Sequence, residues 1–183
     1  PTPRSIAWVK SQELPNSFKL HEYGLADFNG SIEFYPPENP DHISYTTVNR
    51  PASASSSTDS INVPVKTITT IMNDLQLKRI DILKMDIEGS EYRILEDLIE
   101  NAKTTTGLAI EFHDCDLNME RIEAFVARYP LHLVHVHANN FSPLTHSDLP
   151  LVLELTFSEV EPVATDVALP HPADMPNNKH QDE

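Results

Sequence analysis

A chain of 183 residues with 39% apolar side chains can bury one sizeable core. Its 13 Lys and Arg stand against 28 Asp and Glu, and the formal charge of −15 opposes both nucleic acid and anionic membrane as partners. A lone cysteine, Cys115, rules out an internal disulfide, and no apolar run approaches the roughly 20 residues that a spanning helix needs.

In "PTPRSIAWVK" Thr2 stands at a helix cap and Pro3 at the favoured first helical position, with Ile6 and Val9 three apart, so the chain is predicted to open with a short helix. The stretch "FKLHEYGLADFNGSIEFY" predicts a strand through about Leu25, a turn at "DFNG" and a second strand through Ile32, Phe34 and Tyr35, as a hairpin or two neighbouring strands. Residues 51–60, "PASASSSTDS", are small and polar and predict an exposed loop. "INVPVKTITTIMNDLQL" then predicts a short extended piece and a helix carrying Ile68, Ile71, Met72 and Leu75.

From Arg79 strands and helices alternate. "RIDILKMDI" is predicted as a strand, "SEYRILEDLIENA" as a helix, "GLAIEFH" as a strand, "LNMERIEAFVARY" as a helix and "LHLVHVHA" as a strand. This is the pattern of an α/β fold whose crossover helices cover a mostly parallel sheet. One more strand, "LVLELTF", precedes a proline-rich acidic tail, residues 159–183, expected to be irregular and laid over the domain formed by residues 1–158.

Chemistry concentrates in "ILKMDIEGSEYRIL". Period two puts Ile82, Lys84, Asp86 and Glu88 on one strand face and Leu83, Met85 and Ile87 on the other. Both acids thus project together at the carboxyl end of a strand, where open α/β sheets bind ligands. The competing reading is capping of the following helix by Glu88 or Ser90, with Asp86 too distant for that role. The next strand also ends in polar chemistry, "AIEFHDCD". Glu111 and His113 share a face there, and an imidazole beside a carboxylate can serve as general base. In "LHLVHVHANN", His135 and His137 share a face and His132 takes the other; such histidines are read as structural and no metal site is assigned.

"RIDILKMDIEGSEYRIL", with "AIEFH", "LVHVHANN", "LVLELTF" and "LPHPADMPNN", resembles the FkbM-type methyltransferases, a branch of the S-adenosylmethionine-dependent Rossmann-like enzymes. The resemblance is strongest from Val65 to Phe141. It implies an α/β, Rossmann-like sheet with helices on both faces and "LVLELTF" as an antiparallel strand. It also implies methyl transfer from S-adenosylmethionine to a hydroxyl, or less readily a nitrogen, of a small molecule or glycan. Asp86, His113 and Glu88 become the catalytic candidates, and Asp86 and Asp27 the cofactor contacts, with Asp27 near the adenine; a turn-forming role in "DFNG" explains Asp27 equally well. The sequence departs from the family in one respect. The family's glycine loop and its first two strands have no counterpart among Gly24, Gly30, Gly89 and Gly107, so weak cofactor binding and self-association through an uncovered sheet edge are expected of this chain alone. A non-catalytic binding module, an inactive fragment and a metal-dependent hydrolase remain the rival readings.

Overall fold

The structure is a computed structural model and describes residues 1–36, 45, 60–146, 148–163, 170–171 and 174–178. It is a mixed α/β protein whose chain divides into two compact units, Pro1–Ile71 and Met72–Glu183.

The first unit opens with α1 (Pro3–Lys10), where the Thr2 side chain accepts from the Ser5 amide at 3.3 Å and Pro3 occupies the first turn, as the residue order predicts. Three strands follow: β1 (Gly24–Leu25), β2 (Gly30–Phe34) and β3 (Ile61–Lys66). β1 and β2 do not pair with each other. Both flank β3, parallel to it on one side and antiparallel on the other. The "DFNG" turn is anchored by Asn29, whose Oδ1 accepts from the Thr67 amide at 3.1 Å beyond the end of β3. β3 is therefore the centre of a sheet although it contains Pro64; β1 pairs only at Val65 and Lys66, past the proline, where both amides are present. Alternate residues Val63 and Val65 are buried, as a half-covered strand requires. Of the loop predicted at residues 51–60, only Ser60 lies among the described residues.

Helix α2 (Ile68–Asp74) carries the chain into the second unit. There β4 (Leu83–Met85) runs parallel to β5 (Gly107–Phe112), while β7 (Leu153–Ser158) lies antiparallel to both β5 and β6 (His132–Ala138), giving the order β4-β5-β7-β6. "LVLELTF" is thus antiparallel as expected. The long helix predicted over "SEYRILEDLIENA" is broken into a 3-10 turn at Glu91–Arg93, α3 (Leu95–Asn101) and a second 3-10 turn at Ala102–Thr104. Helix α4 (Cys115–Arg128) starts two residues before Leu117, because Asp114 turns the chain in a left-handed conformation (φ 50°) and the Cys115 amide donates to Leu151 O.

The register sorts the sheet into two faces. Leu83, Met85, Leu108, Ile110, Phe112, Leu155 and Phe157 share one. Against it Phe125 of α4 meets Phe112 and Phe157 edge-on and stacks on Tyr129 at 4.8 Å. Lys84, Ala109, Glu111, Glu154, Thr156 and Ser158 take the other face. A bulge between Leu133 and His135 inserts Val134 into β6, so His132 pairs with Ser158 and joins His135 and His137 on the polar face. Strict alternation had put His132 opposite them; the extra residue reverses that parity.

Candidate active site at the ends of two parallel strands

Asp86, Glu88 and His113 lie beyond the carboxyl ends of β4 and β5, and the second unit brings all three together. His113 Nε2 is 3.7 Å from Glu88 Oε2, 4.0 Å from Asp86 Oδ1 and 3.6 Å from Glu111 Oε1. Its other nitrogen, Nδ1, is 3.2 Å from Glu91 Oε1. The imidazole is therefore held between one fully buried carboxylate and three that are partly open. Asp27 belongs to the first unit, exposed in the bend after β1.

Backbone geometry aims these groups. Glu88 (φ 54°) and Gly89 (φ 93°) are both left-handed, which turns the chain sharply out of β4. Neither Glu88 nor Ser90 forms a side-chain cap on the following turn. Glu91 takes that role from inside the turn: its Oε1 accepts from the amides of Ile87 at 3.2 Å and Gly89 at 3.1 Å as well as facing His113. Glu88 is thereby released to point at the histidine. On the β5 side, Tyr92 donates to His113 O at 2.6 Å, fixing the backbone that carries the ring.

Burial alone would disfavour a charged imidazole, but the hydrogen bond to Glu91 and the charges of Glu91, Glu88 and Glu111 outweigh it and push the His113 pKa up to about 9. Desolvation likewise opposes the Glu91 charge, and its bonds to His113 and the loop amides overcome that, leaving its pKa below the usual carboxylate range. Glu111 moves the other way: burial, then the charges of Asp86 and Glu154, raise it. At neutral pH His113 is an imidazolium inside an acidic cluster. It cannot accept a proton in that state.

Sequence reasoning named Asp86, Glu88 and His113, which the structure brings together, and did not name Glu91, which meets the same imidazole. The third acid in "DIEGSE" was the available signal, five residues after Asp86 and three after Glu88. Lys84, 3.8 Å from Glu111 Oε2, and Asn139, whose Nδ2 is 3.4 Å from Glu111 Oε1, border the site on the polar face. Asp86, Glu88 and His113 each place a ligand atom within 4.8 Å of the others, but in its imidazolium form His113 has no lone pair to give a cation.

Two parallel strands ending in a carboxylate and histidine cluster, in a mixed α/β chain, put the candidate site where α/β sheets bind ligands. The methyltransferase FkbM domain model matches residues 1–143, and the chain belongs to that family. Family membership points to methyl transfer as its chemistry and implies a methyl donor. No curated protein and no solved structure matches the chain.

Proposed function

We propose that this domain transfers a methyl group from S-adenosylmethionine to a hydroxyl oxygen of a small molecule or glycan, and that β4-β5-β7-β6 is part of a Rossmann-like methyltransferase sheet with β7 as its antiparallel strand. One observation carries the reading: Asp86 and Glu88 converge with Glu111 on a histidine whose far side is tied to the buried Glu91. The donor supplies an electrophilic methyl on a cationic sulfonium. A site with more carboxylates than cations suits that charge, so these residues fit the sulfonium end of the donor.

Asp86 is the proton acceptor. Its carboxylate is half-exposed, whereas His113 already carries its proton at neutral pH. As the acceptor oxygen gains its new bond, its proton becomes strongly acidic, and a carboxylate suffices to take it. His113 holds Asp86 and Glu88 in place through its charge, and Glu91 fixes the ring. Asp27 is assigned to the adenine by resemblance alone.

Asp86→Asn keeps the shape and removes the base. In a version that also carries the family's glycine loop, methyl transfer is expected to fall by roughly a hundredfold or more, by more than any loss of donor binding measured by calorimetry. Turnover equal to wild type in a folded Asp86→Asn protein would move Asp86 to a structural role. The cationic donor is also expected to bind more tightly than its neutral demethylated product, and Asp86→Asn combined with Glu88→Gln should shrink that difference.

A further inference from the structure

A second cluster lies on the polar face at the opposite side of the four-stranded sheet. His135 and His137, two apart on β6, stack their rings with centroids 6.4 Å apart and planes inclined by 18°. Both face Asp174 from the chain's tail: His135 Nε2 is 2.9 Å from Oδ1 and His137 Nδ1 is 3.8 Å from Oδ2. The Asp174 side chain is only 8% exposed. A carboxylate that buried needs a compensating cation.

The hydrogen bonds around His137 determine which of its nitrogens is free. Glu154 can only accept, so Asn177 must turn its amide Nδ2 toward Glu154 Oε1, at 3.1 Å. That leaves Asn177 Oδ1 facing His137 Nε2 at 2.7 Å, and the ring must donate there. A neutral His137 therefore presents the bare lone pair of Nδ1 to Asp174 Oδ2. Two acceptors then face each other, with Oδ2 already accepting from the His171 amide at 2.7 Å. Either a proton on Nδ1 or a metal ion between the two groups relieves that contact. The outer bond, from the far ring nitrogen through Asn177 to a carboxylate, is the arrangement that orients metal-bound histidines.

We infer that His135, His137 and Asp174 form a binding site for a divalent transition-metal ion of the zinc type. Two imidazole nitrogens and one carboxylate oxygen, all within 4.8 Å of one another, make an N,N,O donor set suited to such an ion. In a tetrahedral zinc site with bonds of about 2.0–2.1 Å the ligand atoms lie about 3.3 Å apart, so a small contraction closes the set around the ion. Three protein ligands leave the fourth position to water. The ion would clip the tail to β6, next to Asn140, which already exchanges two hydrogen bonds with Asn178. The site is separate from the methyl-transfer reading and lies partly outside the family match, which ends at residue 143.

The test is calorimetric titration of the metal-stripped full chain with zinc chloride alone, with cobalt(II) as a spectroscopic substitute. Wild type is expected to show a one-to-one event and the visible absorption of a four-coordinate cobalt ion. That event should weaken by about a hundredfold or more in His135→Ala and Asp174→Asn, and by about 10–100-fold in Asn177→Ala. Asp86→Asn should leave it unchanged. Should an alanine variant misfold, His135→Cys supplies a thiolate ligand and is expected to retain binding. Zinc at a hundred times its Kd should raise the wild-type Tm by roughly 5–10 °C, and chelator should reverse the gain. No zinc binding by folded wild type, or binding that survives His135→Ala with Asp174→Asn, would overturn the site and leave an ion-paired strap only.

Discussion

Glu91 has no exposed surface, and its charge is balanced by the His113 imidazole and two loop amides. Its second oxygen, Oε2, is buried with no hydrogen-bond partner among the described residues, so the group depends on Oε1 for its compensation. Glu91→Gln keeps the volume but removes half of a buried ion pair. The expected cost is about 3 kcal/mol in urea unfolding, with the His113 pKa, followed by NMR, falling from about 9 toward the ordinary 6.5. An unchanged His113 titration would refute the pairing. The same pair sets a pH dependence. Because the folded pKa of His113 lies above the unfolded one, its contribution is complete below pH 6.5 and is lost as pH rises toward 9. After allowing for partial solvent screening, stability should decline by about 1–3 kcal/mol across that window, and this decline should shrink in Glu91→Gln, where Glu88 and Glu111 still face the ring. Glu91 acts at the other end: its lowered pKa adds stability that is present above the ordinary carboxylate range and lost as pH falls through the folded value.

The turn between β4 and the 3-10 segment is the element that makes the site. Gly89 at φ 93° adopts a conformation that side chains resist, although a Cβ there would only approach Asp114 Oδ2 at 3.9 Å. Backbone strain, not crowding, therefore governs Gly89→Ala, and about 1–2 kcal/mol of destabilisation is expected together with loss of activity as Glu88 is re-aimed. Helix α4 holds the other side of the site by packing Phe125 into the ring cluster of Phe112, Tyr129 and Phe157. Phe125 is 2% exposed, and Phe125→Ala should cost about 3–5 kcal/mol in chemical denaturation. A cost under about 1 kcal/mol would mean that the cluster closes over the gap. Cys115, at the start of α4, is buried with its thiol pushed up to about 11 chiefly by desolvation, and is inert at neutral pH.

At the scale of the whole molecule, β4 occupies an edge of its sheet, pairing with β5 alone among the described residues. Ile82, just before it, is 76% exposed. An edge of this kind is a template for strand pairing, and we propose that the chain self-associates through it. Light scattering is expected to show association that rises with concentration and is reduced in Ile82→Lys, which adds a charge beside Lys84. A wild type that stays monomeric throughout the concentration series would exclude the edge as an interface.

Periodicity and residue type were enough to place most elements and to single out Asp86, Glu88 and His113, which the fold brings together, because they are local properties. Thr2 and Pro3 favour a helix start by their own geometry, alternation sorts Lys84 from Leu83 and Met85, and a strand that ends in carboxylates must bring them out of the core or pair them within it. Pairing partners are not local. β1 and β2 each lie against β3 because sheet order depends on hydrogen bonds between distant segments, and His132 changed faces because one inserted residue reverses every side chain beyond it. The largest differences are electrostatic. Nothing in "DIEGSEYRIL" or "AIEFH" alone says that Glu91 is buried beneath His113 and holds its proton, or that Asp174 of the tail meets His135 and His137 on β6. Charge states follow from burial and from neighbours brought together across many residues, and only the folded chain supplies both.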